Sequence, residues 1–247
     1  MSLLKNKILA IIPCRSGSKE IKNKNLVKFY NKTLIEYSIH FAKECKFFDK
    51  IIVSTDSNVY KKIVEKNGIN VPFLRPKKIS KDRSTDYEFI THCLKYLKEN
   101  QNFEPDLIVH LRPTSPLRKI KDLKYGLRIL IKNKKIDSLK TITKMKHSIF
   151  KTWFSDHKKL IRPSTIFNFG FKEPYNLPRQ MLPLSYRQTA LFDIYRRDIV
   201  INKKNLSGKK IFGLELDSYL DIDSKEDIIL AKRFSKYFKN FKKFIFS

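Results

Sequence analysis

The run Cys14-Arg15-Ser16-Gly17-Ser18-Lys19, with Lys22, Lys24 and Asn25 close behind, joins small residues to cations directly after the apolar segment Lys7 to Pro13. Such a loop lets backbone N–H groups approach phosphate oxygens, and Arg15, Lys19 and Lys24 add charge-assisted hydrogen bonds to a polyphosphate. The spacing is neither the G-x-x-x-x-G-K-[ST] of a P-loop nor the G-x-G-x-x-G of a dinucleotide fold. By residue chemistry alone it is either a phosphate cradle or a solvated basic turn. Near the other end of the chain, Asp221 and Asp223 alternate. In an extended segment both carboxylates lie on one side and can share a hard cation, although D-x-D by itself also occurs as a solvated or capping pair.

These groups need a scaffold that brings the two ends of the chain together. Short apolar runs at Lys7 to Pro13, Lys50 to Thr55, Asn70 to Leu74, Asp106 to Leu111 and Ser138 to Lys144 read as strands. Amphipathic stretches such as Thr33 to Lys46 and Asp86 to Asn100 lie between them and read as helices. Strand, helix, strand order with long connections predicts an α/β fold with a mostly parallel sheet covered on both faces, whose strand ends gather ligands. From about His147 to Tyr186, Pro163, Pro174, Pro178 and Pro183 interrupt aromatic residues, so this stretch reads as an insertion. Lys210 to Leu216 reads as a last strand, followed by a helix near Ser224 with Asp223 or Ser224 as N-cap. The tail from Lys232 to Ser247 alternates Lys with aromatics and reads as an amphipathic packing helix. The expectation is one domain over residues 1–247 carrying an insertion at about 147–186.

The 247 residues carry 53 Lys and Arg against 24 Asp and Glu, a net charge of +29. The lysines are spread along the whole chain, so they predict attraction to anionic substrates rather than a dedicated nucleic-acid face. Cys14, Cys45 and Cys93 are far apart and odd in number, which argues against a disulfide framework or zinc site and fits a reducing cytoplasm. No stretch reaches the roughly 20 apolar residues that span a bilayer, so no membrane role is expected.

Five motifs in order then resemble the acylneuraminate cytidylyltransferases, the CMP-sugar synthetases for sialic acid and related nonulosonic acids. They are Arg15 to Asn25, Val53-Ser54-Thr55-Asp56 with Leu74-Arg75-Pro76, Leu111-Arg112-Pro113-Thr114-Ser115-Pro116-Leu117-Arg118, Pro178-Arg179-Gln180-x-Leu182-Pro183, and Asp221-Ile222-Asp223. The resemblance covers almost the whole chain and implies a Rossmann-like fold. It also implies that Arg15, Ser18, Lys19, Lys24 and Asn25 hold CTP, that Arg75 lies near the base with Thr85 and Asp86, and that Asp221 and Asp223 hold Mg2+. Asp82 and Asp86 have a plainer reading as caps of the following helix. In the sugar half of the site the resemblance implies Lys151 and Arg179, together with Arg112 and Arg187.

The implied reaction is in-line attack of the anomeric hydroxyl of an acidic nine-carbon sugar on the α-phosphorus of CTP. Arg15, Lys19 and the cation would serve mainly by charge neutralisation. The proton acceptor is open between a water activated by the cation and an aspartate such as Asp223. An eight-carbon ulosonic acid as substrate is the nearest alternative, and a noncatalytic basic RNA- or anion-binding protein the more distant one. The insertion implies a homodimer.

The chain departs from the family pattern in three places. Arg112 replaces a glutamine, Glu20 replaces a glycine, and Arg187 to Tyr195 replaces R-x-N-G-A-I-Y. An arginine facing the sugar would favour a substrate with an additional acceptor; otherwise Arg112 pairs with a neighbouring carboxylate.

Overall fold

The computed structural model describes residues 5–155, 161–164, 169–217 and 220–235. In chain order these form β1 (Ile8–Pro13), β2 (Lys28–Phe29), β3 (Lys32–Thr33), α1 (Leu34–Glu44), β4 (Lys50–Ser54), α2 (Asn58–Lys66), α3 (Asp86–Gln101), β5 (Leu107–His110), α4 (Ile120–Lys132), β6 (Ser138–Lys144), β7 (Trp153–Ser155), β8 (Ile161–Pro163), β9 (Tyr186–Arg196), α5 (Arg197–Asn202), β10 (Ile211–Glu215) and α6 (Lys225–Ser235).

β1 has no polar side chain, so both of its faces must be covered. Ile8, Ala10 and Ile12 pack with Ile35, Ile39 and Phe41 of α1 and with Leu123 and Leu127 of α4. Leu9 and Ile11 point the other way, onto Phe89, Ile90, Cys93, Leu94 and Leu97 of α3 and Val200 of α5. Alternation along one strand thus generates a three-layer α/β structure. α4 approaches the sheet closely at Gly126, where a Cβ would meet Ile194, Leu139 and Phe192 at 3.2, 3.3 and 3.4 Å. Capping boxes at Thr33/Glu36 and Thr85/Glu88 fix the starts of α1 and α3.

The main sheet has the order β10-β6-β9-β5-β1-β4. β1 is parallel to β4 and β5, and β10 is parallel to β6. β9 runs antiparallel to both of its neighbours. The sequence reading did not recognise this strand. Its buried run is interrupted by Asp193, and it follows a proline-rich segment whose return direction no local signal specifies. The expected strand at Asn70 to Leu74 is corrected: no strand is formed there, because Pro72 lacks a ladder donor and Pro76 follows closely. Only the Arg75 N–H reaches the neighbouring segment, donating to Thr55 O at 2.6 Å.

Between β6 and β9 the described residues form the β7–β8 hairpin and short 3-10 turns, without an α-helix. Ser224 is the residue that caps α6: its hydroxyl accepts from Asp227 N at 3.2 Å, and its N–H donates to the Asp227 carboxylate at 2.8 Å. The tail expectation at residues 236–247 lies outside the described residues.

Arg118, 1% exposed, ties the loop after β5 to the sheet and to α1. Its guanidinium donates to the carbonyls of Leu191 and Arg112 and to Ser38 Oγ. Replacing Arg118 by Met preserves bulk but leaves those buried carbonyls without donors. Arg118→Met should cost about 3 kcal/mol, lowering the midpoint of thermal unfolding by roughly 6–12 °C in a chain of this size. A calorimetric midpoint within 2 °C of wild type would contradict this account of the loop.

Candidate active site

Because β1, β4 and β5 are parallel and in register, with Pro13 opposite Ser54 and Ile11 opposite His110, the loops that follow them leave from one edge. A cavity of about 530 Å3 opens there. Its wall includes Arg15, Ser18, Lys24, Asn25, Arg75, Asp86, Arg112, Asp221 and Asp223.

The loop after β1 is held from both sides. The carboxylate of Asp56, just after β4, accepts from Ser16 N at 2.8 Å and from Ser16 Oγ at 3.0 Å. Asn25 Nδ2 donates to Arg15 O at 3.0 Å, closing the loop at its far end. The loop cations are paired with carboxylates. Arg15 donates to Asp82 at 3.1 Å, Lys19 pairs with the same carboxylate at 2.7 Å, and Lys24 donates to Asp223 at 2.7 Å.

Arg75 is 5% exposed and commits Nε to Ser54 Oγ at 2.9 Å and Nη2 to Ser54 O at 2.7 Å. Its guanidinium lies over the Phe89 ring at 4.6 Å. Burial lowers its pKa, and the charge of Asp56 acts in the opposite direction. The Cys14 thiol beside it is pushed well up by burial, which makes it a poor nucleophile.

On the opposite wall the apolar Ile222 separates the two aspartates. It is buried with Ile21, Phe29 and Leu117, and its N–H donates to Thr114 O at 2.9 Å. That anchor leaves Asp221 and Asp223 lining the cavity, with Asp221 accepting from Ser115 Oγ at 3.2 Å. The pair supplies hard oxygen donors of the kind Mg2+ takes when phosphates complete its shell. Among the described residues no group of three or more His, Cys, Asp and Glu forms a self-sufficient cage.

The third wall comes from β9 and the loop after β5. Asp193, fully buried, accepts from Arg112 at 2.8 Å, Lys140 at 3.1 Å, the Tyr195 hydroxyl at 3.0 Å and Gln188 at 3.2 Å. Arg112 also donates to Asp86 at 2.7 Å. Burial opposes the Arg112 charge, but Asp193 and Asp86 outweigh it and raise its pKa. The guanidinium is therefore at the cavity and already bridged by two carboxylates. Burial, reinforced by the charge of Arg112, drives the His110 pKa well below its usual value, so this ring is neutral.

Not every residue expected at the site lines the cavity. The Thr85 hydroxyl is spent on the cap of α3, and Ser84 lines the wall beside it. Lys19 sits outside with 79% of its side chain exposed. Lys151 is exposed at the end of a 3-10 turn, Arg179 donates to Met145 O at 3.2 Å, and Arg187 is exposed on β9; none of the three is part of the wall. Asp56, Gln188 and Asp193 do position the site and were not singled out from sequence. The V-S-T-D run contains Asp56, and Gln188 and Asp193 lie in the Arg187 to Tyr195 stretch that departs from the family pattern, but no local signal picks out these side chains within it.

A profile of the family described as cytidylyltransferase matches residues 9–239. An N-acylneuraminate cytidylyltransferase of Escherichia coli is 30% identical over 234 residues, covering 92% of this chain and 52% of that protein. A pseudaminic acid cytidylyltransferase of Campylobacter jejuni is 29% identical over 231 residues, covering 92% of this chain and 95% of that protein. The chain spans about half the length of the first curated relatives it matches. Among solved structures, a CMP:2-keto-3-deoxy-manno-octonic acid synthetase complexed with CTP superposes with a TM-score of 0.69 at 14% identity, covering 94% of this chain and 99% of the other. A 4-diphosphocytidyl-2C-methyl-D-erythritol synthase from Anaerococcus prevotii gives 0.63 at 16%, again covering 94% and 99%. Those likenesses establish the shared Rossmann-like α/β fold. With the profile spanning nearly the whole chain, the protein belongs to the cytidylyltransferase family.

Proposed function

We propose that the protein joins CTP to an acidic nine-carbon sugar of the nonulosonic class, releasing pyrophosphate and a CMP-sugar. The observation that carries this reading is the meeting of Arg15, Ser18, Lys24, Asn25 and Arg75 with Asp221 and Asp223 on one cavity at the carboxyl edge of the parallel strands. In the reaction the anomeric oxygen forms a bond to the α-phosphorus as the bond to pyrophosphate breaks. Arg15, Lys24 and the backbone N–H groups of the loop hold the phosphates and offset charge moving onto the leaving group. Arg75, pinned by Ser54 against Phe89, is placed to face acceptors on cytosine. Asp221 and Asp223 are the residues that would hold Mg2+, which neutralises phosphate charge when bound. Names among the similar proteins support the sugar class, since they include both N-acylneuraminate and pseudaminic acid cytidylyltransferases.

A homodimer accompanies this reading. The 147–186 segment exposes the large apolar side chains of Trp153, Phe154, Ile161, Met181 and Leu184, and exposed apolar groups of this kind mark association surfaces when they are contiguous. The described residues contain no helix long and apolar enough to cross a membrane. Cys14, Cys45 and Cys93 are all free and buried, which fits a cytoplasmic setting; the evenly spread positive charge supports no specific nucleic-acid partner.

The reaction is tested by pyrophosphate release from CTP, with and without Mg2+, against a panel of nonulosonic and eight-carbon ulosonic acids. Release with a nonulosonic acid is expected, and release with none of the panel would reject the reading. Arg15→Ala and Lys24→Ala should each raise KM for CTP about tenfold or more, the equivalent of losing one charge-assisted hydrogen bond, while the unfolding midpoint moves by only a few degrees. Wild-type KM in both variants would remove these cations from the phosphate site. Light scattering across micromolar concentrations should give twice the chain mass, and Trp153→Glu together with Phe154→Lys should shift it toward the monomer. A monomeric mass for the wild type would reject the dimer.

A further inference from the structure

Asp82 stands on the turn before α3, where the sequence offered it no role beyond a helix cap. Thr85 makes that cap. The turn is closed on itself, with Ser84 N donating to Lys81 O at 3.1 Å and Lys81 N donating to Ser84 Oγ at 3.0 Å. From it the Asp82 carboxylate reaches across to the loop after β1 and engages two cations at once. Oδ1 accepts from Arg15 Nη1 at 3.1 Å, and Oδ2 pairs with Lys19 Nζ at 2.7 Å. Arg15 lines the cavity; Lys19, drawn toward Asp82, does not.

We propose that Asp82 is a surrogate for phosphate. It occupies the anion positions of Arg15 and Lys19 in the nucleotide-free protein and competes with CTP and pyrophosphate for them. The inference rests on the CTP reading of the cavity. Arg15 has other N–H donors with which to reach a phosphate while it holds Asp82, whereas Lys19 must leave Asp82 to enter the cavity. The Lys19 pair with the nucleotide is therefore exchanged against the pair with Asp82, and Arg15 shares its charge between the two anions. Asp82 has 41% of its side chain exposed, so on release it returns to water without a large desolvation change. The exchange weakens binding of the triphosphate by only a modest factor. It equally gives departing pyrophosphate a ready replacement, which favours product release. Lys24, paired with Asp223, lies inside the cavity and is not part of this turn.

Calorimetric titration of the full chain with inorganic pyrophosphate, and separately with CTP in the absence of sugar, tests the proposal. Asp82→Asn should bind both ligands about two- to tenfold more tightly, with an unfolding midpoint like that of wild type. Asp82→Glu, which keeps the charge, should remain near wild type. The gain should shrink as salt is raised and fall in a Lys19→Ala background, because competition acts through that pair. Equal or weaker binding of pyrophosphate by folded Asp82→Asn and Asp82→Ala would overturn the proposal, as would a gain that is insensitive to Lys19. A wild-type chain that binds pyrophosphate and ignores CTP would sink the nucleotide assignment alone, and the Asp82 effect on pyrophosphate would still decide this inference. A chain that binds neither would overturn both.

Discussion

Asp193 places a carboxylate in the interior of β9 with no exposure to water, and much of the cavity wall follows from the need to compensate it. An uncompensated ion at such a position costs several kcal/mol, and an ion pair recovers that only when the geometry is good and the remaining lone pairs find donors. Here Arg112, Lys140, Gln188 and Tyr195 converge on the two oxygens. The partners come from the loop after β5, the neighbouring strand β6 and two positions of β9 itself, and of these Arg112 and Gln188 line the cavity. Once Arg112 is drawn to Asp193, its other nitrogen fixes Asp86 at the start of α3. The carbonyl of the same residue accepts from buried Arg118, which also grips β9 and α1. A single buried charge thus couples the antiparallel strand to the cavity floor and to helices on both sides of the sheet.

This chain of dependence changes what Arg112 can do for a substrate. A lone arginine at the floor would seek a carboxylate or an additional acceptor on the sugar. With Asp86 and Asp193 bound by Arg112 and Lys140, the cations and carboxylates of this group cancel, and the polar atoms presented to the cavity include carboxylate oxygens as well as guanidinium. The expectation that paired Arg112 with a neighbouring acid describes the observed contacts, and Arg112 also lines the cavity.

Much of this was legible before any coordinates, for physical reasons that differ by residue. β1 and β5 could be read because strands buried on both faces leave short apolar runs bounded by helical periodicity. Asp221 and Asp223 could be read because Ile222 between them must turn inward, which leaves their carboxylates on the other side. β9 could not be read, since Asp193 breaks its apolar run and the compensating partners Arg112 and Lys140 are 81 and 53 residues away. The same limit hid Asp82, whose contact with Arg15 spans 67 residues. Lys151 and Arg179 were expected at the site through resemblance rather than through any pattern of their own. They belong to the segment between β6 and β9, where both are exposed and neither lines the cavity.

The distribution of charge separates two roles that the composition alone merges. The chain as a whole carries +29, yet these cations of the candidate site are each paired with a carboxylate: Arg15 and Lys19 with Asp82, Lys24 with Asp223, and Arg112 with Asp86 and Asp193. Arg75 keeps its charge against burial by bonding to Ser54 and stacking over Phe89. The excess charge therefore lies mainly outside the cavity, where it acts at long range and is screened within about 8–10 Å at ordinary ionic strength. Such a field raises the rate at which polyanions arrive without fixing how tightly they are held. Affinity is set instead by which short-range pairs a ligand must exchange, and those depend on the positions of a few carboxylates that are invisible in the net charge. Composition and site chemistry thus govern different stages of the same binding event, arrival and retention.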